Sequence, residues 1–172
     1  MVKILTYEQI DQQQWQELVL SSTTATWFQT DEAYRFYLSV GGMQAFASGV
    51  TDEGRLVGVV VGYITHKRNP IKQFFTRRAI IYGGPLLAED ISATALAALL
   101  KAVKAMGNGQ WAIGEENNRQ SPIANRPIYI ESRNFHDYSN WKSVFEANGF
   151  AYQPHLNIQV TCDETHTLSE QR

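Results

Sequence analysis

Apolar positions recur along the chain with two different periods, and the switches between them mark its elements. Residues 2–6 predict a short strand. Asp11 then stands where a helix cap belongs, ahead of Trp15, Leu18 and Val19 at i, i+3 and i+4. A polar break over 21–25 precedes a second helix, opened by Thr30-Asp31, with Tyr34, Tyr37 and Leu38 at the same spacing and Gly41-Gly42 at its end. Residues 44–50 and 55–66 predict two strands joined by the turn Thr51-Asp52-Glu53-Gly54, an antiparallel hairpin. Leu56 to Val61 is almost unbroken apolar sequence, so the second of these strands is expected at the sheet centre, covered on both faces.

A further strand is predicted over 78–82, followed by Gly83-Gly84-Pro85. Asp90 or Ser92 caps the next helix, whose buried stripe is Leu96, Leu99, Leu100, Val103 and Met106 and whose end is Gly107. Residues 108–126 are polar and form an excursion longer than compact domains ordinarily carry. A strand over 127–132, a helix capped by Ser139 with Trp141, Val144 and Phe145 on one face, and a last strand over 156–160 complete the pattern. The order β-α-α-β-β-β-α-β-α-β predicts an α/β (α+β) fold: one domain over 1–160, with a mixed, mostly antiparallel sheet flanked by helices, and a polar tail over 161–172.

The stretch from Ala79 to Leu87 organises this pattern. A strand that ends in a glycine turn ahead of a helix is a common ligand position in α/β proteins. The same sequence equally suits a tight turn packed on its own core. Composition narrows the partners. A net charge of -2 argues against a nucleic-acid surface, although His66-Lys67-Arg68, Lys72 and Arg77-Arg78 make a local basic patch. A single cysteine, Cys162, excludes a disulfide framework and a thiolate zinc site. With no signal peptide and no apolar run approaching the roughly 20 residues of a membrane span, a cytoplasmic protein is expected.

Several phrases, taken in order, resemble a known family. They are Thr26-Trp27-Phe28-Gln29-Thr30, Ile81-Tyr82-Gly83-Gly84-Pro85-Leu86, Tyr129-Ile130-Glu131-Ser132-Arg133-Asn134, and Asn148-Gly149-Phe150 followed by Pro154-His155-Leu156-Asn157-Ile158. Together they resemble the amino-terminal half of the Fem-type aminoacyltransferases, the peptidoglycan-bridge enzymes, which are built from two acetyltransferase-like (GNAT-like) halves. The element order is likewise similar to the GNAT fold, in which the strand leading into the central helix splays from its neighbour and the ligand sits in the cleft. The resemblance implies amino-acid transfer from an aminoacyl-tRNA to an amine on a cell-wall precursor. It puts Tyr82 and the Phe28-to-Thr30 phrase at the precursor cleft. Gly83 stands where many relatives carry an arginine, which removes an anion contact, and Ala33 stands where a tryptophan is usual. The resemblance reaches only the first half, so aminoacyl-tRNA is expected as donor only if a second half is supplied. The surface facing that half is expected to be covered by a second copy of the chain, as a homodimer, or by a partner chain.

Phe28, Gln29, Tyr82, Gly83, Gly84, Glu131 and Arg133 are therefore the candidate substrate-binding residues. Amine acyl transfer needs a base near the nucleophile and a donor for the oxyanion. Glu131, Arg133 and Asp137 are candidates for a base or a carboxylate clamp, with Glu131 and Arg133, two apart on a strand, equally readable as an ordinary ion pair. His136 and His155 are weaker candidates for a base. No catalytic residue is assigned, and no His, Asp or Glu spacing suggests a metal. Acetyl-CoA is not expected, because Pro85 deletes a phosphate-binding N–H and Glu89-Asp90 puts negative charge where phosphate would lie. No other cofactor is expected. The alternative reading is a non-catalytic binding module that keeps the fold and the precursor-side cleft.

Overall fold

A computed structural model describes residues 1–65, 77–107 and 127–154. Its elements begin where the local sequence supplies a cap or a turn. Strand β1 (Lys3–Thr6) leads to α1 (Gln12–Ser21), where the Asp11 carboxylate accepts from the Gln14 N–H at 2.9 Å. A 3-10 turn, Trp27–Gln29, runs into α2 (Asp31–Ser39), capped by the Thr30 hydroxyl, which accepts from the Ala33 N–H. Strands β2 (Met43–Asp52) and β3 (Arg55–Thr65) form the hairpin. Strand β4 (Arg78–Gly83) is followed by a two-residue strand, β5 (Leu86–Leu87), and then by α3 (Ala93–Gly107). Ser92, not Asp90, caps α3, through the Ala95 N–H at 3.2 Å; the Asp90 carboxylate instead accepts from Arg55 at 2.6 Å. Strand β6 (Tyr129–Asn134), a 3-10 turn (Ser139–Trp141) and α4 (Lys142–Ala147) follow.

The sheet runs β1-β2-β3-β4-β6, with β5 added beside β3. Every pairing is antiparallel except β4 with β6, so the sheet is mixed and mostly antiparallel. Helices α1 and α2 cover one face. Trp15, Leu18, Ala33 and Tyr37 pack there with Val59, Val61, Tyr63, Ile80 and Leu86. Helices α3 and α4 cover the other, where Leu96, Leu99 and Val103 pack on Val57, Val60, Ile64, Ala79 and Ile81. Strand β3 is buried from Leu56 to Ile64, the two-faced burial its apolar run predicts.

Several expectations are corrected. The glycine turn does not pass directly into a helix. The chain first rejoins the sheet as β5, because Leu86 and Leu87 bury fully only by pairing with Val59 and Gly58. The anticipated splay begins later than the end of β4, which stays in parallel register with β6 through Tyr82↔Arg133 and Gly83↔Asn134. The chain parts from β6 only beyond that point. Ser139 does not cap the last helix: the N-cap positions are Tyr138 and Trp141, neither with a side-chain cap bond, and Ser139 instead donates its N–H at 2.8 Å and its hydroxyl at 2.9 Å to the Asp137 carboxylate in the turn before it. Leu38 is exposed and Tyr34 only half-buried, since Ala33 and Tyr37 form the stripe that α2 buries. The strand expected over 156–160, the excursion 108–126, most of the basic patch, His155 and Cys162 lie outside the described residues. Among the described residues no helix is long and apolar enough to cross a membrane, and no cluster of His, Cys, Asp and Glu could hold a metal ion.

Candidate functional site

The site is built on the end of β4. Gly83 and Gly84 both have positive φ, +79° and +78°, a conformation that glycine alone adopts without strain. Side chains are also excluded sterically. A Cβ on Gly83 would lie 2.8 Å from the Thr26 hydroxyl, and one on Gly84 would collide with the Asn134 amide oxygen. The two residues turn their carbonyls toward the 3-10 turn, where the Gln29 amide donates to both, each at 3.1 Å. The Gln29 amide oxygen accepts from the Thr26 N–H at 2.8 Å, and its main-chain carbonyl accepts from the Trp15 indole at 2.9 Å. Gln29 is fully buried. It braces the turn, joining α1, the 3-10 turn and β4, and its side chain has no free hydrogen-bonding group to offer a ligand.

One residue before the turn, Tyr82 points to the α1/α2 side of the sheet, and its register partner Arg133 lies beside it. The Arg133 guanidinium donates to the Tyr82 hydroxyl at 2.6 Å and sits 5.1 Å above the ring. The same guanidinium donates through Nε to Glu131 at 2.6 Å. The ion-pair reading of Glu131 and Arg133 is thus correct as geometry, and Tyr82 turns the pair into a network. This bonding raises the Arg133 pKa, the Glu131 hydrogen bond being the largest cause. The Tyr82 oxygen accepts from a cation here, which leaves the hydroxyl one donor for a further hydrogen bond.

Phe28 packs on Tyr82 with ring centroids 5.2 Å apart, and Phe135 closes the group at 5.8 Å from Phe28 and 6.1 Å from Tyr82. Trp27 and Phe36 continue the aromatic surface and are half exposed, at 48% and 50%. Beneath them Tyr37 packs on Tyr63 with centroids 4.7 Å apart, and burial pushes the Tyr37 hydroxyl pKa up to about 12. The result is a half-buried aromatic wall beside a charged floor. Replacing Tyr82 with phenylalanine removes one charge-assisted bond in a part-buried position. It is expected to cost about 1–2 kcal/mol in denaturant unfolding, with the fold retained. A loss of several kcal/mol would make the hydroxyl a core element and not part of a ligand face.

The other side of the turn has a different character. The Tyr138 hydroxyl donates to the Pro85 carbonyl at 2.7 Å, occupying main chain that the departing strand would otherwise present. Burial raises the Tyr138 pKa to about 12, so the hydroxyl keeps its proton. Past β5, a cavity of about 720 Å³ opens between α1, the β2–β3 turn and the entry to α3. It is lined by Glu17, Glu53, Glu89 and Asp90 against one cation, Arg55. The Arg55 bond holds the Asp90 pKa below its ordinary value, so that carboxylate is charged near neutral pH. The carboxylates of the cavity repel phosphate, and it holds none of the candidate residues.

The structure brings Phe28, Tyr82, Glu131 and Arg133 together on one face and sets Gln29, Gly83 and Gly84 behind them as scaffold. Asp137 is spent on Ser139, and His136 lies in the bend after β6, outside the Tyr82 network. Of the basic patch, Arg77 is buried and Arg78 lies on the charged floor. Phe135, Tyr63, Tyr37 and Tyr138 are the participants that sequence reasoning missed. Phe135 carried one signal: it directly follows the strand end that pairs with the glycine turn.

No family model matches the chain, and no curated protein matches it. Solved structures do. The aminoglycoside N-acetyltransferase AAC(6')-Iy, in complex with CoA, superposes with a TM-score of 0.56 at 12% identity, over 94% of this chain and 95% of that one. The AAC(6')-Ih enzyme from Acinetobacter baumannii gives 0.51 at 10% identity, over 95% and 100%. The ribosomal-protein-alanine N-acetyltransferase from Brucella melitensis biovar Abortus 2308 gives 0.50 at 14% identity, over 94% and 98%. At these identities the likeness is one of fold: the chain has the GNAT-like N-acetyltransferase fold.

Proposed function

We propose that this chain is an N-acyltransferase-like protein whose β4–β6 face binds the amine-bearing acceptor of an acyl transfer. In its finer form the reading is Fem-like: the acceptor is a cell-wall or polysaccharide precursor, and the donor is an aminoacyl-tRNA handled with a second half. The Tyr82–Arg133–Glu131 network beside the glycine turn carries the proposal. Amine acyl transfer depends on holding an amine and a carbonyl in fixed geometry. A hydroxyl fixed by a guanidinium offers a directed proton, a neighbouring carboxylate offers an acceptor, and the Phe28–Tyr82–Phe135 wall supplies apolar contact. Phe28, Tyr82, Glu131 and Arg133 are the contact residues in this reading, and Gln29, Gly83 and Gly84 keep them in place.

Acetyl-CoA is a poor fit as donor. Pro85 lacks the N–H, Tyr138 occupies the Pro85 carbonyl, and carboxylates line the entry to α3. Calorimetric titration of the full chain with acetyl-CoA is expected to give no low-micromolar binding. A dissociation constant near 1 µM, about −8 kcal/mol, would restore ordinary acetyl-CoA chemistry. Titration with a muramyl pentapeptide tests the acceptor side: measurable binding that Arg133→Ala abolishes supports the reading, and no binding by the wild type overturns it.

The same crowded donor side favours a second reading, a binding module that keeps the acceptor face without transfer. Binding of the muramyl peptide with no turnover, even when the complementary half is supplied, would select it. The half-exposed pair Trp27 and Phe36 beside the site also fits association with a second copy or a partner chain. Sedimentation at micromolar concentration is expected to show self-association, and a clean monomer would leave a partner chain or a surface repolarised by substitution.

A further inference from the structure

The charged floor beside Tyr82 is unbalanced. Two guanidinium groups, Arg78 and Arg133, share one carboxylate, Glu131. Among the described residues no other carboxylate lies within ion-pair distance of either. Arg133 is committed, with contacts of 2.6 Å to both Glu131 and Tyr82. Arg78 is held loosely: its Nη1 lies 3.4 Å from the Tyr129 hydroxyl and 3.8 Å from Glu131, and its side chain is 42% exposed. Strand register fixes its place, since Arg78 pairs with Tyr129 and the alternate positions Ile80 and Tyr82 share its face.

Arg78 and Gly83 are the two ends of β4. Five residues of strand at about 3.3 Å each separate their Cα atoms by roughly 16 Å, and the Arg78 guanidinium leans back along the face to 3.8 Å from Glu131. A molecule lying along this face with its reactive amine at the glycine turn would therefore meet Arg78 once it extends past Glu131. A guanidinium with two long contacts and a half-open flank is suited to a planar or tetrahedral oxyanion, which it meets with paired N–H donors.

We infer that Arg78 is a specificity-determining residue of the acceptor site, binding an anionic group, carboxylate or phosphate, that the acceptor carries past Glu131, toward the Arg78 end of β4 and away from its reactive amine. This inference rests on the acceptor-face reading above. Arg133 completes the network at the turn, and Arg78 reads the remote end. Tyr129, half exposed beside it, adds a hydroxyl to the same anion.

Calorimetry on the full chain tests this with three probes: a muramyl pentapeptide with a free terminal carboxylate, its terminal amide, and the amide carrying a phosphate on the sugar. The wild type is expected to bind at least one of the two probes with the added anionic group about tenfold or more tighter than the terminal amide, a preference that shrinks as salt rises. The probe that gains identifies carboxylate or phosphate as the natural group. Arg78→Gln should erase the preference while leaving amide binding within about twofold, and Arg78→Lys should keep part of it. Equal affinity of the wild type for all three probes overturns the inference and leaves the acceptor reading intact. An equal loss for all three probes in Arg78→Gln also overturns it, by making Arg78 a structural residue. Failure of the wild type to bind any probe removes the acceptor reading, and the anchor with it. Thermal melting of both variants separates these outcomes from unfolding.

Discussion

Gln29→Leu should destabilise the protein by about 4 kcal/mol, one of the largest losses available to a single side chain of the site. Leucine matches glutamine in bulk, so little cavity is left and the loss reports hydrogen bonding. Three main-chain groups lose their partner at once: the carbonyls of Gly83 and Gly84 and the N–H of Thr26. Each orphaned buried group costs about 1–3 kcal/mol, more than the net worth of the bond it made. For a chain of this size the midpoint of thermal unfolding should fall by roughly 8–16 °C. A loss under about 1 kcal/mol would mean that the turn carbonyls find other partners and that Gln29 is not the brace.

A charged variant gives the same brace a pH signature. In Gln29→Glu the new carboxyl faces two carbonyl oxygens in a fully buried place, which raises its folded pKa above the ordinary value near 4.3. A pKa raised on folding adds stability below the unfolded value and loses it as pH rises toward the folded value. This variant should therefore be nearest wild type at about pH 4 and fall away toward neutrality. Urea midpoints that show no such slope would place the carboxylate in contact with solvent.

Gly62→Ala should cost about 3 kcal/mol or more, through crowding and not through hydrogen bonding. Gly62 lies in β3 opposite Phe46, where a Cβ would stand 2.5 Å from the Phe46 ring and 2.5 Å from the Ile80 carbonyl oxygen. The ring can swing aside, but the carbonyl belongs to β4 and cannot. Alanine therefore pries β3 from β4 next to the Tyr63↔Ile80 pair, two residues before Tyr82. Stability and the aromatic circular dichroism of the Tyr63–Tyr82 region should be lost together. Gly41→Ala, where a Cβ meets nothing within 4 Å, should leave both unchanged. If the two variants behave alike, the close strand approach is not what reserves position 62 for glycine.

The part of this protein legible in the sequence is the part set by near neighbours. Asp11, Thr30 and Ser92 cap helices because each hydroxyl or carboxylate reaches an N–H three residues on, a contact that needs no tertiary fold. The β2–β3 hairpin and the two-faced burial of β3 follow from one turn and one apolar run. Phe28, Tyr82, Glu131 and Arg133 could be picked out as candidates because their phrases resemble a family, and the pair two apart on a strand had to share a face. What they do together was decided by strand register. Parallel pairing of β4 with β6 sets Arg133 against Tyr82, 51 positions apart in the chain, and leaves Arg78 with half a partner. Gln29 could not be recognised as a brace, since its two acceptors lie 54 and 55 residues away. The return of Leu86-Leu87 to the sheet was hidden for the same reason: what a strand pairs with is a property of the far side of the chain, and only the packed core compares the alternatives.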